Sequence, residues 1–141
     1  VEKVCCIISG MSLVKQDESF EDFHSRLMDP KEVHRYEIYS LNYTFACFML
    51  PRVKLLKKQF QNHPRWCLEK FEECPTEENK ASYERYRDFV QGLNDIIFMF
   101  NFYAKGRESQ TWSGHPHHKQ FRKRIKRGWN ALRDNYDQMW F

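Results

Sequence analysis

Apolar residues recur every three or four positions through most of this chain, and nowhere do they alternate over a long run. That period belongs to the α-helix, whose side chains at i, i+3, i+4 and i+7 share one face. The demanding stretch is Leu41–Gln59, "LNYTFACFMLPRVKLLKKQ", in which ten mostly apolar residues run into Pro51 and then into cations. A span needs about 20 apolar residues, and here Asn42 and Thr44 interrupt a run that ends in Arg52 and Lys54. The stretch therefore reads as a helix of a folded core, and no membrane partner is expected.

Four helical segments follow from the pattern. "SFEDFHSRLMD" opens on Ser19 with Asp22 three residues later, an imperfect capping box, and places Phe23 and Leu27 at helical spacing. A second, long segment is expected from Asp29 as N-cap and Pro30 in the first turn, with Glu32 completing the box. Tyr36, Tyr39, Tyr43, Ala46, Leu50 and Val53 trace its core stripe, and Ile38, Leu41, Phe45, Phe48 and Leu55 give a second apolar face. A helix apolar on most sides is expected at the centre of a bundle. Because the stripe resumes in phase after Pro51, one kinked helix ending near His63-Pro64 is favoured over two helices meeting at the proline.

Residues 63–75 read as a connection with one helical turn. The third segment starts at Thr76, with Glu77 and Glu78 suiting the positive end of the helix dipole, and its stripe runs Tyr83, Tyr86, Val90, Leu93, Ile97, Phe100 to a stop at Gly106. Gly92 lies inside it, where a missing side chain permits close packing at some cost in propensity. The fourth runs from about Pro116 to the C-terminus on Phe121, Ile125, Trp129, Leu132, Tyr136 and Met139. The fold class is all-α: a small bundle of about four helices around two long central ones, the first of them kinked.

With 141 residues, one domain over 16–141 is the expectation, preceded by a disordered extension over 1–15. Met11 is a candidate internal start, with Val1 as an alternative initiator. The apolar run of "VEKVCCIISGMSL" is too short for a signal peptide. Five cysteines, Cys5, Cys6, Cys47, Cys67 and Cys74, form no regular framework and suit a reducing, cytoplasmic compartment. Cys47 is expected as a small core residue.

Charge gives the main functional signal. Residues 105–133 carry nine Lys or Arg against Glu108 alone, a segment charge of +8, while the rest of the chain carries −4. Cations spaced along an amphipathic helix make an electrostatic footprint for a polyanion, most simply nucleic acid. Lys119, Arg122, Lys123, Lys126 and Arg127 are the candidate phosphate contacts, with Trp112 and Trp129 nearby as stacking or packing groups. A solvated helix face, or a surface for an acidic protein, is the competing reading. No sequence-reading motif is present, so binding without strong sequence preference is expected.

Other chemistry finds less support. His115, His117 and His118 match no metal-ligand spacing, and Pro116 more simply starts a helix. Glu69, Glu72, Glu73, Glu77 and Glu78 cluster where capping explains them, as does Glu32; Glu37 is a further acid. No phosphate-loop, dinucleotide or nucleophile-elbow motif occurs. No metal, cofactor or catalytic residue is assigned, and a non-enzymatic protein is expected. Tyr36, Tyr39, Tyr43, Asn42, Asn94 and Asn101 are candidates to line a pocket for a small polar ligand, such as a nucleotide signal, if they meet between the long helices.

From Tyr36 to Tyr103 the chain resembles a group of small helical proteins of tailed bacteriophages. The resemblance rests on "YSLNYTFACFMLPRVKLLKK" (39–58), on His63-Pro64 and on "LNDIIFMFNFYAKG" (93–106), with Leu50, Pro51, Arg52 and Lys54 as its most distinctive element. It implies a helical accessory protein acting in the infected cell or in particle assembly, and no activity or catalytic residues. The connection carrying "CLEKFEECPTEENK" and the basic C-terminus depart from the pattern. Alternative roles are inhibition or redirection of a host polymerase, nuclease or defence component, and sequestration of a nucleotide signal.

Overall fold

The computed structural model describes residues 18–35, 37 and 40–139. Expectations placed on residues 1–15, among them Cys5 and Cys6, and on Tyr36, Ile38 and Tyr39 lie outside the described residues. The chain divides into two compact units, one ending at Tyr39 and one beginning at Ser40.

In the first unit, α1 spans Phe20–Met28. Ser19 caps it: its hydroxyl oxygen accepts from the Asp22 N–H at 3.1 Å and donates to the Asp22 carboxylate at 2.8 Å. Glu18 grips Arg26 through two hydrogen bonds of 2.9 and 3.0 Å, which holds the guanidinium pKa above its ordinary value. No residue of α1 is buried.

Asp29 then accepts from the Lys31 N–H at 2.9 Å and caps a 3-10 turn, Pro30–Glu32. The expected long helix does not propagate from that start. Val33 leaves the turn in extended conformation, Arg35 and Glu37 are helical again, and the next helix with described bounds, α2, spans Leu41–Phe60. The cap and the proline act locally; with Lys31, Glu32 and Val33 all exposed, the turn has no apolar face to extend against a core.

The second unit contains α2, α3 (His63–Glu73), α4 (Glu77–Ala104) and α5 (His118–Asn135), with 3-10 turns at Glu108–Thr111 and Tyr136–Met139. Among the described residues there is no strand, and the fold is an all-α bundle with long helices at its centre. α2 runs through Pro51 without a break. The proline lacks the N–H that would reach back to Cys47, and in the same turn the Arg52 guanidinium folds back to the Phe48 carbonyl at 2.6 Å. It also lies 3.5 Å from the centre of the Phe48 ring.

The connection read at 63–75 is a helix of eleven residues. Pro64 sits in its first turn, where a missing N–H costs nothing, and His63, Pro64, Cys67, Leu68 and Phe71 are its half-buried positions. Gln61 and Asn62 stay helical in backbone, so α2 and α3 form one long arm along α4. The arm runs antiparallel to α4: the Phe45 ring meets Phe100 edge-on at 5.4 Å, Phe60 meets Phe89 at 5.4 Å, and His63 lies 5.1 Å from Tyr86.

α4 is the hub. α2, α3 and α5 all pack on it, and it supplies Phe89, Leu93, Ile96, Met99, Phe100 and Phe102 to the core. α2 adds only Ala46 and Val53, and α5 adds Ile125. The expectation that α2 is buried on most of its sides is corrected. Leu41, Tyr43, Phe45 and Phe48 are exposed, and Cys47 is exposed rather than core. An apolar helix is buried all round only where neighbours cover every side, and within this unit the main partner of α2 is α4. The Tyr43 phenol, one turn back, instead donates to the Cys47 sulfur, which holds the phenol pKa above its ordinary value.

Candidate nucleic-acid interface

α4 ends where the sequence marks it. Gly106 has φ +61°, its N–H reaches the Tyr103 carbonyl, and the Arg107 N–H reaches Phe102 at 3.2 Å. This double closure satisfies two terminal carbonyls and needs a left-handed residue, which glycine adopts without strain. The chain then turns back through residues 107–117 to start α5, which descends antiparallel along the C-terminal half of α4. Phe121 lies 5.8 Å from Phe102, and Arg124 covers the Phe98 ring at 3.6 Å.

The depth of that packing is set by Gly128. A β-carbon there would lie 2.6 Å from the Met99 Cβ and 2.8 Å from the Asp95 carbonyl oxygen. Ile125 and Gly128 are buried, with Phe121, Ala131, Leu132 and Asn135 half-buried around them. The expected stripe through Trp129 and Tyr136 is displaced: Trp129 is 43% exposed and Tyr136 is 54% exposed. Close approach at a glycine turns the buried face toward position 128, one residue and about 100° from Trp129.

The opposite face is basic. Lys119, Lys123 and Lys126, at i, i+4 and i+7, point away from Gly128 and are exposed. Among the described residues none of the three has a carboxylate partner within ion-pair distance. Arg133 extends the row, about 20 Å from Lys119 at the rise of an α-helix, but pairs with the adjoining Asp134 at 2.9 Å.

The other two expected contacts hold partners of their own. The Arg122 Nε donates to the Thr111 carbonyl at 2.7 Å. Arg127 pairs with Asp95 of α4 at 2.8 Å, where the carboxylate side chain is only 14% exposed. The five residues thus fall on one helix but divide into a row of three lysines and two flanking arginines with structural bonds. Sequence reasoning left out Arg124 and Arg133; the helical period alone places Arg133 in line with Lys126, seven residues earlier.

Beside Arg127 lies a polar cleft of about 550 Å³ between α4 and α5, lined by Asp88, Asp95, Asp134, Arg85 and Asn130 among others. Its three carboxylates stand against the guanidinium groups of Arg85 and Arg127, a mixed lining unlike the run of cations on the outer face of α5. The polar groups expected to converge on a small-ligand pocket do not line this cleft. Asn42 and Tyr43 are exposed on α2, and Asn94 and Asn101 are half-buried on α4.

The histidines have local roles. The His115 Nδ1 accepts the His117 N–H at 3.1 Å, and its carbonyl accepts the His118 N–H at 3.1 Å. Among the described residues no group of three or more His, Cys, Asp or Glu is arranged to hold a metal ion. Glu77 and Glu78 sit in the first turn of α4 behind the Thr76 cap, and Glu69 pairs with Arg65 at 3.6 Å. No described helix is long and apolar enough to cross a membrane.

No protein-family model, curated protein or solved structure matches the chain.

Proposed function

We propose that this protein binds a polyanion, most simply nucleic acid, along the outer face of α5 and without catalysing a reaction. The observation that carries the reading is the row Lys119, Lys123 and Lys126, exposed on one helix face and without carboxylate partners among the described residues. Three ammonium groups along about 10 Å of helix neutralise successive phosphates, and the counterions those phosphates release drive association. Arg122 and Arg127 sit on the flanks. Arg122 keeps nitrogens beyond its bonded Nε with which to donate to a phosphate oxygen. Contacts of this kind position a strand and carry no sequence information. The setting, an infected bacterial cell, rests on the resemblance over Tyr36–Tyr103.

The test is titration of a fluorescent, mixed-sequence oligonucleotide across a salt series, with the Lys119→Glu/Lys123→Glu/Lys126→Glu variant in parallel. Tight binding with a steep salt slope, lost in the variant, supports the reading. An unchanged slope removes it.

A second reading, docking to a host protein, is favoured by the α2 surface. Leu41 is 67% exposed and the rings of Phe45 and Phe48 are 43% and 40% exposed. A stoichiometric complex that survives nuclease treatment and is lost on Leu41→Ser/Phe48→Ser would favour this reading over the first.

A further inference from the structure

The ring of Trp112 is 67% exposed, an unusual position for the largest apolar side chain, since such area in water forgoes much burial energy. Its backbone is nevertheless pinned. The Trp112 N–H donates to the Ser109 carbonyl at 3.1 Å, and the Trp112 carbonyl accepts from the His115 N–H at 2.9 Å. One residue earlier, the Thr111 hydroxyl donates to the Glu108 carbonyl at 2.7 Å, and the Thr111 carbonyl receives Arg122 at 2.7 Å. The turn thus holds Trp112 out in the water while Arg122 ties it to α5.

Arg122 also anchors the Trp112 turn to one flank of α5. It lies three residues after Lys119 and four before Lys126, the two spacings that make helix neighbours. The turn that carries Trp112 is therefore anchored on the flank of α5 that borders the lysine row. Trp129, seven residues after Arg122, is on the same flank, but its indole N–H faces the Tyr103 hydroxyl at 3.5 Å and its ring packs on Tyr103 at 6.2 Å. Trp112 has no such partner among the described residues.

An open aromatic face beside a track of cations is the arrangement that binds unpaired nucleic acid: cations follow the phosphates and the ring stacks on a base. A duplex offers its phosphates but keeps its base faces stacked inside. Resting on the polyanion reading of α5, we infer that the ligand is single-stranded nucleic acid and that Trp112 is its base-stacking residue.

The test compares a fluorescent mixed-sequence single strand, the matched duplex, and heparin as a polyanion without bases. Each is titrated with wild type, Trp112→Ala and Trp112→Phe at fixed salt, and the single strand also across a salt series. Wild type should hold the single strand about tenfold or more tighter than the duplex. Trp112→Ala should weaken the single-strand complex by about ten- to a hundredfold, leaving its salt slope and heparin binding unchanged. Trp112→Phe, which keeps a ring, should retain most of the affinity.

Unchanged single-strand affinity in Trp112→Ala, or an equal loss on all three ligands, overturns the stacking role and leaves the polyanion reading standing. Equal affinity of wild type for single strand and duplex overturns the single-strand assignment. Failure of wild type to bind any of the three overturns both readings together.

Discussion

Gly128 of α5 lies against Met99 of α4 so closely that a β-carbon would come within 2.6 Å of the Met99 Cβ. The Asp95 carbonyl oxygen, at 2.8 Å from the same point, is backbone and cannot rotate away. Gly128→Ala should therefore lower stability by about 1–3 kcal/mol despite the better helix propensity of alanine. At Gly92 the nearest atom is the amide nitrogen at the tip of Asn135, 2.9 Å away, and a side-chain tip can move. Gly92→Ala should cost less than Gly128→Ala, or stabilise by up to about 1 kcal/mol. Urea midpoints of the two variants check the contrast, and equal losses would contradict it.

The cations of α5 should separate into two groups. Lys119, Lys123 and Lys126 are exposed and, among the described residues, have no carboxylate partner, so the Lys119→Glu/Lys123→Glu/Lys126→Glu variant should keep the wild-type circular dichroism spectrum and melting temperature to within a few degrees. If each lysine neutralises one phosphate of a single strand, its salt slope should fall by about 2. Unfolding of the triple variant would show that the row is part of the fold.

Arg127 should behave differently. Its loss leaves the Asp95 carboxylate, largely covered between α4 and α5, without its partner. Arg127→Ala should destabilise by about 1 kcal/mol, the half-exposed guanidinium limiting the effect. In a double-mutant cycle with Asp95→Asn the two losses should couple by about 0.5 kcal/mol or more. Additive losses would mean that the pair is incidental to stability.

Pro51 is exposed within a continuous α2. Pro51→Ala restores a backbone donor to the turn and removes a ring that crowds it. The urea midpoint should rise. A fall would mean that the helix needs the local distortion to seat both Ala46 and Val53 on α4.

Local signals in the sequence translate directly into structure. Ser19, Thr76 and Gly106 each act through bonds to residues at most five positions away, so the chain alone reveals them. Asp29-Pro30 shows the limit of the same logic, since a correct cap starts a turn but does not say how far a helix continues. Burial is less legible because it depends on partners distant in sequence. Cys47 and Phe48 have the composition of a core and face outward because α2 packs chiefly on one helix. Trp129 lost its expected place to Gly128, and no apolar count anticipates a glycine at the point of closest contact.

The candidate interface follows the same division. Charge marked the last helix as the candidate polyanion-binding face, with Lys119, Arg122, Lys123, Lys126 and Arg127 as one set; the structure separates the three exposed lysines from the two arginines. The occupation of Arg122 by Thr111 and of Arg127 by Asp95 depends on contacts eleven and thirty-two residues apart. Neither contact has a local signature.

Because α4 is the hub, its two main neighbours meet different flanks of one cylinder. Phe89 and Phe100 face α2, while Asp95, Phe98 and Phe102 face α5. A strand lying along the lysines of α5 would leave Leu41 and Phe48 of α2 uncovered. Were both surfaces used, their occupants would lie on different flanks of α4, and a single copy would have room to bridge a charged polymer and an apolar partner.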